Sequence, residues 1–315
     1  MRFLKLLLAP IFVFSLAACG SLTDTADSTT DTPTPTNTDN STNTETDTSA
    51  ATEPYSITYS AAMELEGKSM FTINVKDKAT GTAVADITPT FTATMTMTSG
   101  SHSTPVKGCS ATNSSGDSTC TIYYVMASKM ANGSSTGTWA LKVTVGNQEA
   151  TFNPDVMMAT GDTAKAILKN NEDKIAGMTG DPETRKLFLF KESLMGTTGN
   201  HTFKLFLATR ESMMMHPAVA TGSKLKNETG TEWTVDPIVI EISTDNETTW
   251  SAMTEDGDGY FSKTEIADLV DGTTGNIKLK LTINGNAYTT DGMAVIAGIN
   301  DSCSFAATPA MAHAH

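Results

Sequence analysis

The sequence predicts an all-β chain: two tandem β-sandwiches behind a disordered N-terminal stalk. Three observations predict it. From residue 55 onward apolar residues recur with a period of two, the spacing of a strand that buries one face. Turn signals at Thr80-Gly81, Ser99-Gly100, Asn132-Gly133 and Gly146-Asn147 cut that pattern into short strands. The second half of the chain repeats the first.

The clearest strands are Ser69–Val75, Thr90–Met97 and Trp139–Val145, each alternating apolar with polar residues. In the repeat, Gly137-Thr138-Trp139-Ala140-Leu141-Lys142-Val143-Thr144-Val145 lines up with Gly275-Asn276-Ile277-Lys278-Leu279-Lys280-Leu281-Thr282-Ile283. Phe71–Val75 answers Phe203–Leu207, Gly116-Asp117 answers Gly257-Asp258, and Val156-Met157-Met158 answers Ala294-Val295-Ile296. Repeats of this size with several short strands point to sandwiches, each with its own core. Phe71, Ile73, Val75, Trp139, Leu141 and Val143 serve the first core. Phe203, Leu205, Leu207, Ile277, Leu279 and Leu281 serve the second. The second copy carries extra residues around Ser212–Trp233.

The expected boundaries are a leader over 1–18, a disordered Thr/Ser/Asp-rich linker over 19–54 and a first sandwich over 55–160. A linker with room for a helical turn follows over 161–180, then a second sandwich over 181–303 and a flexible tail over 304–315. The stalk holds Asp24, Asp27, Asp31, Asp39, Glu45, Asp47 and Glu53, and no base lies between Lys5 and Lys68. Such a segment cannot bury enough apolar area to offset its backbone entropy.

An alternating strand comes first, then a Met-bearing strand with His102 nearby, then a Gly-Asp turn. Gly137, Trp139, Leu141 and Val143 follow. That order resembles the small immunoglobulin-like domain of the FixH and YtkA families, in which a Gly-x-Trp-x-Leu-x-Val strand closes the fold. The resemblance implies an immunoglobulin-like sandwich and a link to copper handling. The second copy has Ile277 in place of the tryptophan.

The N-terminus has its own pattern. Arg2 and Lys5 precede an apolar stretch over Phe3–Phe14, and Leu16-Ala17-Ala18-Cys19-Gly20 follows. This is the layout of a secretory signal peptide with small residues before the cut. The cysteine after the cut resembles the lipobox of bacterial lipoproteins. The resemblance implies lipidation of Cys19, which then becomes the mature N-terminus held in a membrane by acyl chains. Gly20, in place of Asp, resembles outer-membrane sorting in enteric bacteria. The expected location is therefore the cell envelope, at the outer membrane or cell surface.

The net charge is −14, and removing Arg2 and Lys5 leaves −16. So acidic a chain is excluded from binding nucleic acid through charge, while metal ions and basic partners stay open. Of the four cysteines, Cys109 and Cys120 flank ten turn-forming residues, so an oxidising compartment is expected to join them. Cys303 then has no partner, which leaves burial, a free thiol or metal ligation.

Two patterns suggest metals. Met95, Met97 and His102; Met213, Met214, Met215 and His216; and Met311 with His313 and His315 group thioethers with imidazoles, a donor set suited to copper. Met213, Met214, Met215 and His216, and then His313 with His315, are the candidate copper ligands. Met95 and Met97 alternate with Thr and more simply face a core. The segment Thr254–Glu265 has Asp256, Asp258, Gly259 and Glu265 at the spacing of a calcium-binding EF-hand loop, with Thr254 where the first Asp belongs. A turn followed by a helix capped by Ser262 and Glu265 explains the same residues. Enzyme signatures are missing: none of the five histidines lies in an H-E-x-x-H arrangement, and there is no G-x-S-x-G, C-x-x-C or phosphate loop. The sequence therefore implies a non-enzymatic, membrane-anchored extracytoplasmic protein with a binding or structural role. Copper handling and calcium-dependent adhesion are the alternatives.

Overall fold

The computed structural model describes residues 43–46, as backbone, and 53–311. The leader, Cys19, most of the stalk, His313 and His315 lie outside the described residues. The first sandwich comprises β1 (Asn43–Thr46), β2 (Tyr55–Ala61), β3 (Glu64–Leu65), β4 (Gly67–Asp77), β5 (Thr90–Met97), β6 (Gly100–Ser103), β7 (Val106–Cys109), β8 (Asp117–Tyr124), β9 (Thr138–Val145), β10 (Gln148–Phe152) and β11 (Val156–Met157). One sheet has the order β1-β2-β4-β8-β7 and the other β10-β9-β5-β6, while β3 pairs in parallel with β11. Alternation places Phe71, Ile73 and Val75 of β4 against Trp139, Leu141 and Val143 of β9 in one buried core. Cys109 and Cys120 stand opposite each other in the β7–β8 ladder and form a disulfide. Closing so short a loop contributes roughly 2–3 kcal/mol.

The second sandwich comprises β12 (Lys165–Ile175), β13 (Glu183–Thr197), β14 (Asn200–Thr209), β15 (Lys224–Lys226), β16 (Glu232–Thr234), β17 (Ile238–Ser243), β18 (Ser251–Ala252), β19 (Thr254–Gly257), β20 (Tyr260–Ile266), β21 (Gly275–Ile283), β22 (Asn286–Tyr288) and β23 (Cys303–Ala307). Its sheets run β12-β13-β14-β20-β19 and β18-β17-β21-β22, with β23 also on β21 and β15–β16 as a separate hairpin. The core holds Phe203, Leu205, Leu207, Ile277, Leu279 and Leu281. Cys303 sits in this core as a free thiol, pushed up to about 12 by burial.

The duplication is visible in the ladders. The order β2-β4-β8-β7 recurs as β13-β14-β20-β19, and β10-β9-β5-β6 recurs as β22-β21-β17-β18. Val75 N–H donates to the Gly116 carbonyl at 2.9 Å, and the Val75 carbonyl accepts from Val84 N at 3.0 Å. Leu207 repeats both contacts, with Gly259 at 2.7 Å and Val219 at 3.0 Å. The glycine equivalent to Gly116 is therefore Gly259, two residues beyond the Gly257 expected from the sequence. A Cβ on Gly116 would stand 2.4 Å from the Val75 carbonyl oxygen, and one on Gly259 would stand 2.7 Å from that of Leu207. Both residues also have positive φ, so glycine alone fits.

Several expected boundaries move. Within the linker expected over 19–54, Asn43–Thr46 pairs as β1 with β2. The linker expected over 161–180 contains β12, an edge strand of the second sandwich, in place of a helical turn. The tail expected from residue 304 begins as β23, paired along β21. The segment after Ser262 continues as strand β20 and not as a capped helix. Ala294–Ile296 lies in a loop and is not the counterpart of β11. Where a strand forms against expectation, long-range ladder hydrogen bonds override a local composition that reads as loop or cap.

One buried acid links the first core to pH. Glu64 of β3 is 3% exposed and accepts a hydrogen bond from the Tyr124 hydroxyl at 2.9 Å. Burial pushes its carboxyl up to about 7, against the opposing pull of tyrosine hydroxyl hydrogen bonds. The folded value lies above the unfolded 4.5, so the folded chain binds more protons between those pH values. Stability is therefore expected to fall as pH rises through that window, by roughly 3 kcal/mol, and to stay low above it. Urea unfolding at stepped pH should show this slope, and Glu64→Gln should flatten it. A variant profile as steep as that of the native chain would remove Glu64 as its source.

Candidate functional site

The most informative site is the junction between the sandwiches. It starts from an apolar run, Leu187-Phe188-Leu189-Phe190 in β13, whose residues are all buried. Leu187 and Leu189 enter the second core, so Phe188 and Phe190 face the other way, where Phe206 and Ala208 of β14 join them. This second apolar face is covered by the first sandwich. Tyr123 projects from β8 opposite Ile122 and Tyr124, stacking on Phe206 at 4.2 Å and lying 5.4 Å from Phe190. Its hydroxyl donates to Glu192 Oε2 at 2.7 Å and lies 2.8 Å from the Tyr260 hydroxyl. Burial and the Tyr260 and Glu192 contacts push that phenol far above its ordinary range.

Charged pairs ring the aromatic cluster. Lys68 meets Glu192 at 2.7 Å and Lys165 pairs with Glu66. Lys191 meets Asp162 at 2.5 Å, and Asp162 also accepts from Thr308 N. The connecting segment is thus stapled to β23, with Thr163 N donating to the Ala306 carbonyl at 2.7 Å. Where it passes β4, a Cβ on Gly67 would stand 2.6 Å from Ala164 Cβ, so the close approach requires glycine.

The junction also brings together two of the methionine–histidine groups. Ser103 N–H donates to the Met213 carbonyl at 2.8 Å, and Ser103 Oγ lies 3.0 Å from His216 Nδ1. His102, beside Ser103, packs edge-on against Trp139 at 5.3 Å, with Nδ1 2.8 Å from the Ser103 carbonyl. Both imidazoles are buried. Burial, then the His102 and Arg210 charges, pushes His216 down to about 4. Burial and Arg210 also hold His102 low. Arg210 donates to Met213 Sδ at 3.6 Å and pairs with Glu183. A cavity of about 260 Å³ beside them is lined by Met178, Glu183, Arg210, Met213 and Met214, and Met214 and Met215 are exposed. The candidate copper ligands are therefore divided. His216 Nδ1 faces Ser103 and Met213 faces a cation, Met214 and Met215 face solvent, and His313 and His315 lie outside the described residues. Met95 is buried in the first core, where alternation with Thr sends it.

The candidate calcium segment is the β19–β20 hairpin and not a helix–loop–helix. Asp256 pairs with Lys204 at 2.9 Å and accepts from Ser262 Oγ at 3.0 Å, while Asp258, in the turn before β20, and Glu265, within β20, sit at positive φ. Among the described residues, no three His, Cys, Asp or Glu side chains gather in a metal-holding group. Tyr123, Glu192 and Ser103 are not legible as site residues from motif patterns. The signal that points to the junction is the unbroken apolar run in β13, which reads as a strand buried on both faces.

The class these sheets define is a tandem pair of immunoglobulin-like β-sandwiches. No protein-family model and no curated protein matches the sequence. Among solved structures, the chain is similar to the Yersinia pseudotuberculosis adhesin InvE, at 13% identity over 77% of this chain and 55% of that one, with a TM-score of 0.22. It is also similar to domains 5–6 of the S-layer protein SbsC, at 12% identity over 85% of this chain and 100% of that one, with a TM-score of 0.20. A third is the titin Z1Z2 pair in complex with telethonin, at 13% identity over 85% and 98%, with a TM-score of 0.17. The match spans about 55% of the length of the InvE chain.

Proposed function

We propose that the chain is a non-catalytic, lipid-anchored protein of a bacterial cell envelope whose two sandwiches act as one rigid unit with a binding or structural role. The observation that carries this is the junction. An aromatic plug, a ring of ion pairs and a stapled connector replace the flexible linker of independent domains. A stiff pair holds its loops at fixed spacing and transmits load, whereas loosely joined domains move relative to each other by default. The sequence Leu16-Ala17-Ala18-Cys19 supports the anchor, and the acidic residues after it support a spacer. His102 and His216 support packing in place of chemistry, since their partners are a neighbouring backbone carbonyl and a serine across the junction. In cells making the full chain, Cys19→Ser is expected to move the protein from the membrane fraction to the soluble one. If the variant still partitions into detergent like the native protein, the anchored reading fails.

A further inference from the structure

The second sandwich departs from the first in ways that meet at one place. The extra residues after β14 fold into the β15–β16 hairpin, which brings Asn227, Glu228 and Trp233 to the end of the sandwich. The β12–β13 ladder slips register between Lys169 and Lys174, a bulge that releases Glu172 from regular pairing. The start of β22 adds Asn286, and together these residues line a cleft of about 470 Å³.

A single buried cation organises the cleft. Arg185, wholly buried, reaches both Asp173 oxygens at 2.9 Å and the Lys226 carbonyl at 2.5 Å, and pairs with Glu211. Its guanidinium lies 5.8 Å from the centre of the Trp233 ring, and the Tyr288 hydroxyl donates to Asp173 at 2.7 Å. Bulge, hairpin and indole are thus pinned to the same side chain. Asn227 is fixed as well, because its Oδ1 accepts from Thr229 N, Thr229 Oγ1 and Thr231 N. What remains for a ligand, among the described residues, includes the donors Asn227 Nδ2, Trp233 Nε1 and the Lys174 ammonium, which spends one N–H on Thr184 Oγ1. The remaining acceptors are Asn286 Oδ1 and the carboxylates of Glu172 and Glu228.

This donor set selects a ligand class. Donors and acceptors line the same small concave cleft as an aromatic side chain. A sugar ring matches both, because its hydroxyls donate and accept while its C–H face packs on an indole. An anion would meet Glu172 and Glu228. A cation would meet Lys174 on the rim, whose charge offsets the carboxylates. We infer that this cleft binds a neutral saccharide, with Trp233 as the platform and Asn227, Asn286, Glu172 and Glu228 reading hydroxyl groups. The inference goes beyond the function proposed above. The site lies within the second sandwich and needs neither the anchor nor the junction, so the two readings fail separately.

The test is saturation-transfer NMR on the mature chain with a panel of neutral mono- to tetrasaccharides, and with spermidine and inorganic phosphate as charged probes. At least one neutral saccharide should give contact signals. Trp233→Ala should weaken its binding by about tenfold or abolish it, and Asn227→Ala should weaken it severalfold. Circular dichroism checks that each variant is folded. If Trp233→Ala unfolds, Asn227→Ala and Glu228→Gln carry the test on the surface of an intact sandwich. Binding of spermidine or phosphate alone would overturn the assignment. So would the absence of binding to any panel member, or saccharide binding unchanged in the variants that fold.

Discussion

Replacing Tyr123 with alanine is expected to uncouple the two sandwiches at a cost of about 3–5 kcal/mol. The side chain is wholly buried although it points away from its own core. Removing it deletes the stacked contact with Phe206 and opens a void against Phe188 and Phe190. It also strips Glu192 Oε2 and the Tyr260 hydroxyl of a buried hydrogen-bond partner, which adds to the loss. The native pair should melt within a single calorimetric peak, because neither sheet face at the junction is solvated in the folded state. In Tyr123→Ala the calorimetric transition should split in two, and the radius of gyration in small-angle scattering should grow as the sandwiches swing apart. Tyr123→Phe keeps the ring and loses only the hydroxyl contacts, so it should cost about 1–3 kcal/mol and keep one transition. A single unshifted transition in Tyr123→Ala would mean that the ion pairs and the stapled connector alone hold the pair together.

Trp139→Ala should destabilise the first sandwich by about 3–5 kcal/mol while leaving the second core intact. Trp139 is wholly buried at the start of β9, with Tyr124 at 5.0 Å and His102 at 5.3 Å from its ring. Its Nε1 donates to the Met126 carbonyl at 3.0 Å, so the substitution also orphans a backbone acceptor. Hydrogen exchange should show lost protection in β4, β5 and β9 and retained protection in β14 and β21. Because His102 carries Ser103 to the junction, some loss at β13 is also expected. Equal loss throughout the second sandwich would show that the two cores have no separate stability.

The repeat was legible because it lives in local patterning. Phe71–Val75 and Phe203–Leu207 occupy equivalent strands, and the Trp139 and Ile277 strands hold equivalent places in the second sheets. The Cys109–Cys120 pairing was legible for the same reason, since a short turn-forming loop holds its two ends together. Elements that depend on a distant partner were not legible. The segment Lys165–Ile175 is polar and interrupted by a bulge, and becomes a strand only because β13 pairs with it. The Ser262–Glu265 spacing offers a helix cap, yet β14 and β19 claim that backbone as ladder.

For the candidate sites the division is sharper. Residue type alone marks Met213–His216 as soft donors. It cannot show that Ser103, more than a hundred residues earlier, would face His216, or that Arg210 would face the Met213 sulfur. By itself the sequence determined the all-β class, the duplication, the two cores and the disulfide, because side-chain alternation and turn chemistry act within a few residues. Only the tertiary structure decided that the sandwiches share a third, aromatic core. Alternation says which residues leave one face of a sheet, but what covers that face is set by surfaces far apart in the chain.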